Sequence, residues 1–289
     1  MDRPLRIGTR GSPLALIQAH MVAAALRAAH GWGEEAIAIV PITTSGDVIQ
    51  DRPLAEVGGK ALWTKELDAC LADGRTDLSV HSMKDVETIR PDIFILAAML
   101  ERADTRDRLI GAESIEALPR GAIVGTSSPR RTAQLLARRP DLRTISIRGN
   151  VQTRLAKIAR GEVDATLLAA AGLDRLGIEE GAPLDLLPAP AQGAIGIEVA
   201  AERGDLLDLL APIDHRPTHD AVRAERAFLA ALGGNCHSAV AALAGAGTLR
   251  AEILAIDGSE VHSGEGDPKE LASRLLGRAS EALRATFAR

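Results

Sequence analysis

The sequence predicts an α/β protein in which two lobes of largely parallel sheet, covered by helices, are followed by a smaller α+β unit. Short β-like runs alternate with helical patterns along most of the 289 residues, a length that accommodates two or three domains. A strand followed by a serine-proline helix start occurs twice, as IGTRGSP and as VGTSSP, which points to two similarly built lobes. With 46% hydrophobic residues the chain can fill substantial cores.

Leu5 to Thr9 reads as the first strand. Ser12 then caps a helix whose first residue is Pro13, where a missing N–H costs nothing, and which runs through ALIQAHMVAAALRAA. Met99 to Gly111, MLERADTRDRLIG, breaks the apolar pattern with mixed charge and reads as the connection between lobes. The second strand-to-helix start follows, with Ile123 to Thr126 as strand, Ser128 as cap, Pro129 as first residue and RRTAQLLARR as helix. Asn150 is the expected cap of VQTRLAKIAR. In PAPAQGAIGIEV, Pro and Gly punctuation precedes another strand, and Gln192 falls in what reads as a crossing between lobes. A break at Pro212 to Pro217 precedes the helix HDAVRAERAFLAAL, which Gly233 and Gly234 should end. Strands near residues 238 to 263 and a helix from Pro268 complete the small unit.

Composition removes several function classes. The net charge is -5, and no Tyr, 3 Phe and 2 Trp leave few platforms on which nucleic-acid bases could stack. The start MDRPLRIGTR lacks an apolar core, and no apolar run approaches the roughly 18 residues of a membrane span, so a soluble, cytoplasmic protein is expected. Cys70 and Cys236 lie far apart without a CxxC pattern, and no HExxH occurs, so neither a disulfide framework nor a metal site is expected. The Gly-Gly-Lys of VGGKALWTKEL lacks the spacing of a phosphate-binding loop, which argues against nucleotide phosphoryl transfer.

Charge is concentrated in one place. Residues 120–160 hold ten basic side chains against a single acid, Asp141. Arg130 and Arg131 fall in a predicted first helical turn, where the dipole is already positive and an exposed cation costs roughly 0.3–1 kcal/mol. An anion bound there would gain from both guanidiniums and from free backbone N–H groups, so anion binding explains the placement better than helix stability. Arg10 before the first helix and Arg148 before Asn150 repeat the arrangement, and Arg154 lies one turn further in. Arg138, Arg139 and Arg143 read instead as a solvated face. Guanidinium suits carboxylate and phosphate alike, so charge alone leaves the anion open.

The segments RIGTRGSPLAL, VGGKALWTKEL, DLSVHSMKDV, VGTSSPRR, IRGNVQTRL, AAAGLDRL, PAPAQGAIGIE and GGNCH, in order from Leu5 to His237, together resemble the porphobilinogen deaminase (hydroxymethylbilane synthase) family. The resemblance implies two periplasmic-binding-protein-like α/β lobes and a small C-terminal α+β domain. With the punctuation above it divides the chain into 1–98 with 194–216, 99–193, and 217–289. It also implies a transferase of haem biosynthesis that condenses four porphobilinogen molecules, with loss of ammonia, into hydroxymethylbilane. The growing pyrrole chain is built on a dipyrromethane cofactor held by a thioether to a cysteine, and Cys236 matches that position. A monomer is implied, with uroporphyrinogen-III synthase receiving the product.

Carried over residue by residue, the resemblance makes Asp85 the catalytic carboxylate. By residue type alone Asp85 is a turn acid beside Lys84, and Cys236 an ordinary buried thiol; the motifs reverse both readings. Arg10, Ser12, Lys84, Thr126, Ser128, Arg130, Arg131, Arg148, Arg154 and Arg175 become candidates for binding cofactor or substrate, with the arginines ahead of the hydroxyls, since Ser12 and Ser128 already serve as caps. Lys60 lies in a Gly-rich segment expected to move over the site, or else in a solvated loop. Cys70 remains a core residue. Glu56, Trp63, Glu87 and Ala191 depart from the family's usual pattern, which has Pro at the position of Glu87. The competing readings are a noncatalytic two-lobed carboxylate- or oxyanion-binding protein and a nucleic-acid-binding regulator. The first gives Asp85 and Cys236 no joint role, and the acidic remainder of the chain disfavours the second.

Overall fold

A computed structural model describes residues 3–44, 64–235, 238–245 and 247–287. The chain begins with β1 (Leu5–Arg10), α1 (Pro13–His30) and β2 (Ile37–Ile42), and continues through α2 (Lys65–Ala72), β3 (Leu78–Ser82) and β4 (Phe94–Met99). A second sheet follows, built from β5 (Asp107–Ile110), β6 (Ile123–Gly125), α3 (Pro129–Arg138), β7 (Arg143–Ile145), α4 (Val151–Ala159), β8 (Ala165–Ala169), α5 (Ala170–Arg175) and β9 (Ala182–Leu184). β10 (Ile195–Ala200) returns to the first sheet, and α6 (Gly204–Leu210) and α7 (Arg216–Ala231) come next. The last sheet is β11 (Val240–Gly245), β12 (Thr248–Leu254) and β13 (Val261–Gly266), followed by α8 (Pro268–Arg278) and α9 (Glu281–Ala285). Two compact units result: Met1–Ala103 with Gly193–Asp220, and Asp104–Gln192 with Ala221–Arg289.

The first two sheets share one plan. Their strand orders are β2-β1-β3-β10-β4 and β7-β6-β8-β5-β9, so β1 corresponds to β6, β3 to β8, and β10 to β5. The likeness of IGTRGSP to VGTSSP marks corresponding strands, each second from an edge. The expectation of largely parallel sheet holds for only half of each. β1 is parallel to β2 and β3, and β6 to β7 and β8, whereas β10 and β5 are inserted antiparallel between their neighbours. Helical crossovers produce parallel neighbours; β5 and β10 are instead the first strands after the chain has passed from one unit to the other, and that passage sets their direction.

Local chemistry sets the helix starts. Ser12 accepts from the Ala15 N–H at 3.4 Å, Ser128 from the Arg131 N–H at 3.4 Å, and Asn150 from the Thr153 N–H at 2.9 Å. Ile7, Leu78, Ile195 and Ile197 are fully buried beneath Ala19, Val22, Ala23 and Leu26 of α1. In the second unit Leu109, Val124, Leu135 and Leu167 form one core, and Phe228, Ile253, Leu271 and Leu275 form another around the C-terminal sheet. That sheet is also tied to α3: Gln134 Nε2 donates to Glu252 on β12 at 3.0 Å, and the turn at Gly258 lies against the backbone of Leu136 and Ala137.

Ala191, the residue before the passage back to the first unit, has φ 64, and among the described residues it is the one non-glycine in the left-handed region. It is buried, and its N–H donates to Glu225 of α7 at 2.6 Å. The other Glu225 oxygen accepts from the Ala244 N–H at 2.9 Å, so one buried carboxylate ties the passage to β11. Left-handed backbone costs an L-residue roughly 1–2 kcal/mol, and glycine gives part of this back, roughly 0.4–1 kcal/mol, as unfolded-chain entropy. Ala191→Gly is therefore expected to stabilise the protein by about 0.5–1 kcal/mol in urea unfolding. A lowered midpoint would show that the position carries no strain.

Candidate active site

In each sheet the candidate residues collect at the carboxyl ends of the parallel strands, where α/β proteins place ligands. In the second unit, β6 runs into Thr126, which is buried and accepts from the Ser128 N–H at 3.2 Å. α3 then begins with no acidic residue in its first turn. Arg130 and Arg131, which follow, are 2% and 6% exposed and share Asp107 of β5. Arg130 donates to Asp107 Oδ2 at 2.8 Å and Arg131 to Asp107 Oδ1 at 2.7 Å. Further bonds run from Arg130 to Gln134 and the Leu187 carbonyl, and from Arg131 to the Leu167 carbonyl. Gln192 Nε2 also donates to Asp107, at 2.9 Å, and to the Thr105 carbonyl at 2.8 Å.

Burial pushes the Asp107 carboxyl up, but the charges of Arg130 and Arg131 and their hydrogen bonds outweigh it and hold the group well below the ordinary aspartate range. The anion that explains two cations in a first helical turn is thus partly internal. One carboxylate is shared by two guanidiniums, and Nε of each arginine is buried without a hydrogen-bond acceptor. Such a donor set has the chemistry to hold an anionic, multiply accepting group.

α4 repeats the acid-free start under its Asn150 cap. Arg148 is half-buried just before it, and Arg154 Nε donates to the Gly149 carbonyl at 3.1 Å. Arg175 ends α5, and burial lowers its pKa against the opposing charge of Asp174. Arg138 and Arg143 are exposed, as a solvated face requires. Arg139 is not part of that face: it pairs with Asp141 at 2.7 Å and donates to the carbonyls of Ile115, Glu116 and Leu118, closing the end of α3.

In the first unit, Arg10 ends β1 and Ser12 follows it, and the parallel β3 brings a short 3-10 turn, Met83–Asp85, to the same sheet edge. Asp85 is exposed and Lys84 half-buried. The Met83 N–H donates to the Ala194 carbonyl at 3.1 Å, and its sulfur sits where any Cβ at Gly196 of β10 would be. Behind the turn, Glu198 of β10 is fully buried, held by Arg90 at 2.8 Å and with His81 at 3.3 Å. Burial raises the Glu198 pKa, yet the nearby His81 imidazole and the hydrogen bonds and charge of Arg90 outweigh it and bring the group to about 2. Glu87 accepts from Arg90 at 2.7 Å and from Thr64 at 2.9 Å, which gives this departure from the family pattern a local partner.

Comparison with known proteins identifies the arrangement. The model described as "Porphobilinogen deaminase, dipyromethane cofactor binding domain" matches residues 5–208, and that of the porphobilinogen deaminase C-terminal domain matches 220–283. The chain belongs to the porphobilinogen deaminase family. A porphobilinogen deaminase from Sphingopyxis alaskensis is 58% identical over 99% of this chain and 98% of its own, and one from Paracoccus denitrificans is 50% identical over 91% and 88%. A nutrient-binding protein from Burkholderia cenocepacia bound to methionine is similar at a TM-score of 0.45 and 14% identity, over 72% of this chain and 90% of that one. Among the described residues no helix is long and apolar enough to cross a membrane.

Of the residues that porphobilinogen deaminase resemblance singles out, the second unit brings Thr126, Ser128, Arg130 and Arg131 together, sets Arg148 and Arg154 at the β7-to-α4 junction, and puts Arg175 at the end of α5. Arg10, Ser12, Lys84 and Asp85 share an edge of the first. Cys236, Lys60, Glu56 and Trp63 lie outside the described residues. Sequence reading missed Asp107, Glu198, Arg90 and Glu225; a lone acid inside the apolar run GAIGIEVA was the available signal for Glu198.

The Asp107 cluster makes the acid limb of stability testable. A carboxyl held below its unfolded pKa, about 3.9 for Asp, contributes fully above that value and loses its contribution as pH falls toward the native pKa. Asp107→Asn is expected to cost about 3–5 kcal/mol at pH 7, because two buried guanidiniums lose their counter-charge, and to flatten the fall in stability below about pH 4. Urea unfolding from pH 7 to pH 2.5 measures both, and an unchanged acid limb would refute the assignment.

Proposed function

We propose that this chain acts as a porphobilinogen deaminase, a monomeric cytoplasmic transferase whose product passes to uroporphyrinogen-III synthase. The observation that carries the reading is the 58% identity along essentially the whole chain. Porphobilinogen presents an acetate, a propionate, and an aminomethyl group on an electron-rich pyrrole. Each ring therefore brings two carboxylates, which Arg10, Arg130, Arg131, Arg148, Arg154, Arg175 and Lys84 are suited to neutralise. Backbone N–H groups at the starts of α1, α3 and α4 add donors under Ser12, Ser128 and Asn150.

When bound through Cys236, a dipyrromethane supplies the nucleophilic pyrrole carbon on which four porphobilinogen units are joined with loss of ammonia, until water releases hydroxymethylbilane and the two-ring primer stays behind. Asp85 has the chemistry to accept hydrogen bonds from pyrrole N–H groups, to stabilise the positive charge that develops as ammonia departs, and to assist removal of the ring proton. Its exposure at the strand end leaves the carboxylate available to a ligand.

Incubation with porphobilinogen is expected to release ammonia, with four molecules per product. Asp85→Asn should retain fold and cofactor while kcat falls by about 100-fold or more, the scale of losing a preorganised charge contact; near-normal turnover would reject its role. Intact mass should show two pyrrole units on the native chain and bare polypeptide for Cys236→Ala. Tight binding of pyrrole acids without ammonia release would mark a binding protein instead.

A further inference from the structure

Residues 86–93, which follow Asp85, form neither helix nor strand before β4 begins at Phe94. The Val86 N–H returns to the Met83 carbonyl and the Phe94 N–H to the Pro91 carbonyl, but no regular element fixes the far side of the Asp85 turn. One guanidinium joins that side to several neighbours. Arg90 donates to both Glu198 oxygens at 2.9 and 2.8 Å, to Asp68 of α2 at 2.6 Å and to Glu87 at 2.7 Å, and its cation lies 5.5 Å from the centre of the Phe94 ring. The Arg90 side chain is 8% exposed. Glu87, two residues from Asp85, is fixed from the other side by the buried Thr64 hydroxyl. A proline here would restrict the backbone unaided, whereas a glutamate restricts it through the contacts of its side chain.

We propose that Glu87 and Arg90 form a clamp that positions the Asp85 turn for reaction. The near side of the turn rests on β10 through Met83 against Gly196, and the clamp fixes the far side to the same strand through Glu198. β10 thus sets where Asp85 stands from both directions. Neither clamp residue touches the substrate; both are positioning residues, and the proposal rests on the reading of Asp85 as the acting carboxylate.

A purely stabilising role predicts something different. Asp68, Glu87 and Glu198 crowd three carboxylates around one guanidinium, and Asp68 is pushed above the ordinary aspartate range by burial, with the Glu198 charge adding to it against the pull of Arg90. Removing one negative charge from such a cluster relieves repulsion. Glu87→Gln should therefore fold at least as well as the parent.

The experiment compares holoenzymes by thermal unfolding, intact mass, kcat and KM. For Glu87→Gln, the melting temperature and two-pyrrole mass are expected to hold or rise, kcat to fall about 10-fold, and KM to stay within about twofold, the pattern of a misplaced reacting group. Arg90→Met should lower kcat further, and the double variant should be no worse than Arg90→Met alone, because both act through one contact. Arg3→Ala, which breaks the pair between the exposed Arg3 and the buried Asp77 just before β3, controls for lost stability and should leave kcat unchanged. Parental kcat in a well-folded Glu87→Gln overturns the clamp, as does a kcat loss that merely tracks lost cofactor or lost fold. If Asp85→Asn remains active, the reading of Asp85 fails; if it is inactive while Glu87→Gln is not, the clamp alone fails.

Discussion

One carboxylate organises the second unit. Asp107 receives Arg130, Arg131 and Gln192, and so joins the first strand after the outward passage, the head of α3 and the last residue before the return. Each partner taken singly would be expensive to bury: two guanidiniums at a positive helix end, and an aspartate in a strand. Together they are compensated to the point where both arginines keep a fixed geometry, with Nε of each still lacking an acceptor. The proposed binding of acidic rings needs cations that are not each neutralised by a carboxylate of their own and do not wander into solvent. Sharing one aspartate between two arginines meets both conditions.

The candidate residues of the two units are arranged differently on the same sheet plan. In the second unit, charge is supplied at two strand-to-helix junctions and at the end of α5, and the starts of α3 and α4 add oriented N–H groups. In the first unit, the proposed chemistry falls to one exposed carboxylate on a short turn, and the buried charges behind it are acids grouped around Arg90, with His81 beside Glu198. A surplus of negative charge behind an exposed aspartate favours positive charge in front of it. That distribution suits a reaction in which a cationic pyrrole forms and an ammonium group is lost.

The parts legible in the sequence were those whose chemistry is local. Ser12 with Pro13, Ser128 with Pro129, and Asn150 announce their helices because a cap and the N–H it accepts lie within three residues. The density of arginine was legible too, but not its internal partner: Asp107 stands 23 positions from Arg130 and 85 from Gln192, in a stretch whose mixed charge reads as a linker. Strand direction was half legible, since helical crossovers announce parallel neighbours and nothing local announces a strand arriving from elsewhere. Arg139 read as solvent-facing because the carbonyls it closes on belong to a distant loop.

Glu225 carries an implication for recombining family members. Its two oxygens serve the backbone of the return passage at Ala191 and of β11 at Ala244, while Glu252 and the Gly258 turn hold α3. The C-terminal sheet is therefore no detachable module. A chimera that exchanged it would have to bring matching partners for Ala191 and Gln134 from the same parent, so the splice point that respects these contacts encloses the passage, the arginine helix and the terminal sheet as one heritable block.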